Sequence, residues 1–184
     1  VCFGGGNAMP KAVLAGLKKY DVDITTVTSM VDSGGSTGQL RRDFNVLPPG
    51  DIRRHLLTLS QAPQWKKDLF GFRFGREEFD GGHKGHSFGN IFISGLEYVL
   101  QDYEKALDTV HQFLEVKGKC MPATIGKTHV FAVLENGEVI EGEDEIDVPK
   151  KHDPNLRIKE IFLKPEVEAY QPVLDDIKQA DLIV

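Results

Sequence analysis

Glycine in this chain gathers in four short clusters, each where strand-like or loop sequence gives way to helical sequence. They are Gly4-Gly5-Gly6-Asn7, Asp32-Ser33-Gly34-Gly35-Ser36-Thr37-Gly38, Leu47-Pro48-Pro49-Gly50-Asp51-Ile52-Arg53 and Gly81-Gly82-His83-Lys84-Gly85-His86-Ser87-Phe88-Gly89-Asn90. With 19 glycines in 184 residues, usage is about 10% against an average of about 7%, and the surplus has a location. Glycine lets the backbone turn tightly and approach a ligand, and a helix start presents free amides to an anion. Four such junctions favour a fold that brings strand ends and helix starts to one side.

Periodicity between the clusters alternates. Val1-Cys2-Phe3 reads as a strand, and Pro10 with Val13, Leu14 and Leu17 reads as a helix running to about Tyr20. The β-branched stretch from Ile24 to Met30 reads as a second strand. A helix follows from Asp51 through Ile52, Leu56 and Leu59, and another from Trp65 to Phe70. Phe88, Ile91, Phe92, Leu96 and Val99 then recur with helical period behind Ser87. The next helix is expected from Tyr103 to Glu115. After it the period changes, and His129 to Leu134 and Glu138 to Ile140 flank Asn136-Gly137, a strong hairpin signal. Glu141 to Asp153 reads as a surface loop, Arg157 to Leu163 as a strand and Tyr170 to Ala180 as a helix. The last residues, Leu182-Ile183-Val184, have the apolar run of a buried parallel strand. The pattern predicts one α/β domain over 1–184: Rossmann-like, with a mostly parallel sheet, helices on both faces and a small β-hairpin excursion. Both ends read as cut from a longer protein.

Composition narrows the function classes. The net charge of -6, from 22 basic and 28 acidic residues, argues against a nucleic-acid partner, since that affinity comes from basic surface. The longest apolar run, Val130 to Leu134, is far below the roughly 18 residues of a membrane span. Cys2 and Cys120 have no partner at zinc spacing and read as buried thiols of a reducing, cytoplasmic compartment.

Each cluster has a plain reading beside a functional one. Gly4-Gly5-Gly6-Asn7 serves either as a tight turn or as a phosphate loop, although it is neither G-x-G-x-x-G nor a P-loop. In the second cluster Gly34, Gly35, Ser36 and Thr37 suit an anion nest or a flexible loop. Asp32, about 28 residues after the first turn, stands roughly where a dinucleotide-binding carboxylate is expected, and suits a ribose hydroxyl or magnesium. In the third, Pro49-Gly50 stiffens the turn, Asp51 is placed to cap the helix, and Arg53 offers a guanidinium fork to phosphate. The fourth contains Gly85-His86-Ser87-Phe88-Gly89, the spacing of a hydrolase nucleophile elbow, but without the buried strand that must precede it. Asp80, His83 and His86 form a weak metal set. The favoured reading makes Ser87 a helix cap and places His86, Ser87 and Asn90 around a phosphate.

Taken in order, G-G-G-N, D-S-G-G-S-T-G-Q-L-R, L-P-P-G-D-I-R and G-H-S-F-G-N resemble the YvcK/CofD-like family. The resemblance continues through Val116 to Thr124 and the E-N-G-E-V-I-E-G-E hairpin to Val184. It implies a Rossmann-like fold that binds a nucleotide-linked small molecule. For the YvcK branch, whose forms of the third and fourth motifs these are, it implies a UDP-sugar and a regulatory role in carbon metabolism and the cell wall. For the more distant CofD branch it implies magnesium-dependent transfer of phospholactate from a guanosine diphosphate carrier to a deazaflavin. Magnesium would then lie on Asp32 and Asp51, Arg53 would stabilise the diphosphate as its bond breaks and His86 would orient the phosphate. The chain departs from the family pattern at Asn7 (usually Thr), Ser33 (usually Asp) and Arg54-His55 (usually Asn-Cys). A further glycine-rich loop beyond the equivalent of Val184 and a homodimer are also implied.

Overall fold

The computed structural model describes residues 1–75 and 85–184. Strand β1 (Cys2–Phe3) leads through the first glycine turn to a π-helical turn (Pro10–Leu14) that continues as α1 (Ala15–Leu17). Strand β2 (Thr25–Thr28) is followed by α2 (Gly35–Phe44), α3 (Gly50–Leu59) and α4 (Gln64–Gly71). Next come α5 (Phe88–Leu100) and α6 (Tyr103–Leu114), whose caps Ser87 and Asp102 accept from backbone amides in their first turns. Then follow β3 (Lys119–Pro122), β4 (His129–Leu134), β5 (Val139–Glu141), α7 (Glu143–Asp147), β6 (Ile158–Lys164) and α8 (Gln171–Gln179).

The first three strands form a parallel sheet in the order β1-β2-β3, with Cys2, Thr26 and Cys120 in one row and Phe3, Val27 and Met121 in the next. Successive side chains on a strand point to opposite faces, so each row meets a different helical layer. Cys2 and Cys120 enter the larger core with Leu14, Ile52, Leu56, Ile93 and Leu107. Val27 and Met121 pack against Val173 of α8 on the other face. Helices thus cover both faces of a parallel sheet, the Rossmann-like α/β arrangement expected. No helix among the described residues is long and apolar enough to cross a membrane.

Five local features differ from the sequence reading. Helix α2 was not expected; it opens on residues 35–38, read as loop, although Gly-Ser-Thr-Gly is poor helix-forming sequence. Strand β3 was not expected; its partner β2 specifies it. Glu143–Asp147, inside the expected surface loop, is a short helix. The Asn136-Gly137 hairpin is present, but β6 joins its other side to give a three-stranded antiparallel sheet, β5-β4-β6. Leu182, Ile183 and Val184 are exposed rather than buried. They still lie beside β1: Val184 N–H donates to the Val1 carbonyl (2.9 Å) and its carbonyl accepts from Phe3 N–H (2.8 Å).

Candidate functional site

The glycine clusters converge. The turn after β1, the loop after β2, and the starts of α3 and α5 border a cavity of about 490 Å³. Gly5, Gly6 and Asn7 line it from the first cluster, and Asp32, Gly34, Gly35, Ser36 and Thr37 from the second. Gly50, Asp51 and Arg53 come from the third, and Asn90 from the fourth. Gly4, Pro49, His86 and Ser87 stand outside the wall, while Arg54, Arg73 and Glu143 join it. Two of these glycines are demanded by close approach. A Cβ on Gly6 would lie 2.8 Å from the Asp51 Cα, and one on Gly50 would lie 2.9 Å from Asp32 Oδ2.

A chain of side chains ties three of the clusters together. Arg53 Nε donates to Asn90 Oδ1 (2.8 Å), Asn90 Nδ2 donates to Ser36 Oγ (3.2 Å), and Ser36 Oγ bonds His86 Nδ1 (2.8 Å). His86 therefore supports Ser36 from behind the wall. Ser87 is fully buried, and its Oγ accepts from Asn90 N–H at 3.2 Å, so it caps α5 and has no access to a substrate. That geometry removes the nucleophile-elbow reading. Helices α2 and α3 differ from α5: their caps, Gly34 and Pro49, make no side-chain hydrogen bond to the first turn. Asp51, expected as a cap, instead lies inside the first turn of α3 and pairs with Arg54 at 3.3 Å. Two helix starts, with the partial positive charge that such ends carry, thus border the cavity without a side-chain cap.

Charge varies across the cavity, with Arg53 beside Arg73 on one side, Asp32 beside Glu143 on the other, and the Asp51–Arg54 pair (3.3 Å) acting on both. Arg53, buried at 5% exposure, has its guanidinium pushed down to about 10, by burial first and then by Arg73 and Arg54 beside it. It remains a cation at neutral pH, with Asn90 as its side-chain partner among the described residues. On the other side, burial raises the Asp32 carboxyl, and neighbouring Asp51 raises it further. Burial likewise raises Glu143, with Asp32 adding to it. Among the described residues no three His, Cys, Asp or Glu side chains are grouped so as to hold a metal by themselves. Asp80 and His83 of the expected metal set lie outside the described residues.

A second tier of residues fixes the loops. Both carboxylate oxygens of buried Glu97 accept from Leu47 N–H (3.1 and 3.0 Å), anchoring the chain just before α3. Arg41 of α2 donates to the Asp32 carbonyl (2.9 Å) and to the Thr128 carbonyl (2.7 Å), joining the second cluster to the approach to β4. Ser33 Oγ donates to Asp144 Oδ1 of α7 (2.5 Å) and accepts from Asp144 N–H (3.1 Å). The departure at Ser33 thus has a counterpart in the fold, since an aspartate there would face another carboxylate.

His55, fully buried on α3, lies beneath the first cluster: Nδ1 meets Thr26 Oγ1 at 2.6 Å and Nε2 meets the Gly5 carbonyl at 3.3 Å. A carbonyl only accepts, so the neutral ring donates from Nε2 and receives the Thr26 hydroxyl at Nδ1. Burial lowers the His55 pKa from 6.5. Below that value the unfolded chain binds the proton more readily than the native one, so this contribution to stability is present above about pH 6.5 and is lost as pH falls. Denaturant midpoints at pH 7.5 and 5.5 check this. The wild type should lose more stability on acidification than His55→Gln, and equal slopes would remove His55 as the cause.

Architecture and site together define a Rossmann-like domain with glycine-lined helix starts and arginines around a crevice. The chain belongs to the family 2-phospho-L-lactate transferase CofD, which it matches over residues 1–184. It is 37% identical to the gluconeogenesis factor of Listeria monocytogenes, covering 100% of this chain and 55% of that protein. The gluconeogenesis factor of Bacillus subtilis is 36% identical over 99% of this chain and 55% of its own length. Among solved structures, a member of the UPF0052 family from Bacillus halodurans superposes with a TM-score of 0.87 at 32% identity, over 99% of this chain and 56% of that one. The chain spans about half the length of these relatives.

Proposed function

We propose that the cavity binds a nucleotide diphosphate compound of the UDP-sugar type, in a regulatory role in carbon metabolism and the cell wall. The observation that carries this reading is buried Arg53, flanked by Arg54 and Arg73 and facing the same space as the starts of α2 and α3. A guanidinium offers phosphate a planar fork, and backbone amides at glycine-rich turns offer further donors. The name gluconeogenesis factor carried by the chain's relatives supports the link to carbon metabolism. Calorimetric titration of the full chain with UDP-glucose and with GDP tests it. Saturable binding of UDP-glucose is expected, and binding of GDP alone would overturn the uridine assignment.

A second reading is favoured by Asp32 and Asp51, two carboxylates on one wall of the cavity. Magnesium is commonly held by one or two carboxylates together with substrate phosphates, and these residues suit that mode. Once bound, the ion would neutralise phosphate charge. The chain would then be a transferase of the 2-phospho-L-lactate type, with Arg53 holding the diphosphate and the loop amides positioning it. Its signature is release of guanosine monophosphate from a guanosine diphosphate-linked lactate when magnesium and a deazaflavin acceptor are present.

A further inference from the structure

The acidic side of the cavity is completed by a residue from outside the parallel sheet. Glu143 opens α7, directly after β5 of the antiparallel sheet, and its side chain lines the same cavity as Asp32 and Asp51. Three features hold it there. Gly142, at φ +95°, takes a left-handed conformation that other residues adopt at a cost. Its neighbour Asp144 exchanges two hydrogen bonds with Ser33. Gly34 runs close beneath, where an added Cβ would sit 3.7 Å from that of Asp144. The second glycine cluster and α7 are therefore locked together, and the cavity gains a carboxylate that the Rossmann-like layer does not supply.

Asp51 is paired with Arg54 and Asp32 accepts from Gly34 N–H (3.0 Å). The Glu143 carboxyl lies near the Ser33 amide, half-buried beside those two acids. A ligand whose phosphates lie against Arg53 and Arg73 and whose sugar reaches Asp32 and Glu143 would meet carboxylates there. A carboxylate accepts hydrogen bonds but donates none, so it favours hydroxyl donors and repels a second anion. We propose that Glu143 is a specificity-determining residue which requires the group joined to the phosphates to be a neutral polyhydroxy sugar and excludes a sugar that carries its own negative charge. This rests on the nucleotide-diphosphate reading of the cavity.

UDP-glucose and UDP-glucuronate differ by one carboxylate in place of a hydroxymethyl group, and they test the proposal. Calorimetric titrations of the full chain are expected to show a preference for UDP-glucose of about tenfold or more. In Glu143→Gln the preference should shrink to within about threefold, chiefly because UDP-glucuronate binds better. Ser33→Ala keeps the carboxylate but frees α7, and should give an intermediate preference. An unchanged preference in Glu143→Gln overturns the proposal. So does a preference that appears only with added Mg²⁺, which would assign the carboxylate to the cation. If UDP binds but the wild type does not prefer UDP-glucose, only the role of Glu143 falls. If neither UDP-sugars nor UDP bind, the nucleotide reading falls with it.

Discussion

If the cavity binds UDP-glucose as proposed, Arg53→Ala is expected to lower the affinity of the full chain for it about thirtyfold or more, equivalent to about 2 kcal/mol, the loss expected when a charge-assisted pair with phosphate is removed. The position makes the effect large. Arg53 is buried, it projects from the first turn of α3, and Asn90 aligns it through Nε, which among the described residues leaves the outer nitrogens of the fork for a ligand. Arg53→Lys separates charge from shape, because lysine restores a cation without the planar fork. It should recover part of the affinity. Calorimetry measures both variants, with melting curves to confirm folding. Affinity unchanged in Arg53→Ala would remove this residue from the site.

The largest loss of stability is expected at Phe70. Its ring is fully buried and lies 5.9 Å from that of Phe92 and 6.2 Å from that of Phe113, so it joins α4, α5 and α6. Truncation to alanine removes the ring and leaves a cavity in a region too well packed to collapse fully, at a cost of about 3–5 kcal/mol. At about 2–4 °C per kcal/mol for a domain of this size, the melting temperature should fall by roughly 10 °C. Trp65 on the same helix is 60% exposed, and Trp65→Ala should change stability far less. A Phe70→Ala protein that melts with the wild type would show that the three rings do not brace these helices. Phe70 does not line the cavity, so binding measured well below the melting temperature should survive.

Local chemistry made much of this molecule legible. Ser87 before a helical stripe announced α5 and its cap, Asn136-Gly137 announced the hairpin, and the spacing of the glycine clusters announced their convergence. Features specified by distant partners were hidden. The opening of α2 is written in glycine, serine and threonine, whose intrinsic preferences favour turns, and it is helical because Ser36 and Arg41 are held by tertiary bonds. Strand β3 is four residues ending in Pro122, too short to declare itself without β2. Arg73 and Glu143 belong to no glycine motif. Arg73 reaches the cavity because the segment around it pairs with Ser87, and Glu143 because α7 docks on Ser33.

The relay from Arg53 through Asn90 and Ser36 to His86 also bears on the entropy of recognition. Long side chains lose rotamer freedom when a ligand fixes them, and that loss is subtracted from affinity. Here the side chains at the starts of α2, α3 and α5 are immobilised by one another, so their ordering belongs to folding. A phosphate entering the crevice would meet donors already aimed at it. The free chain would carry the disadvantage of crowding Arg53, Arg54 and Arg73 together, and the arriving anion would relieve it.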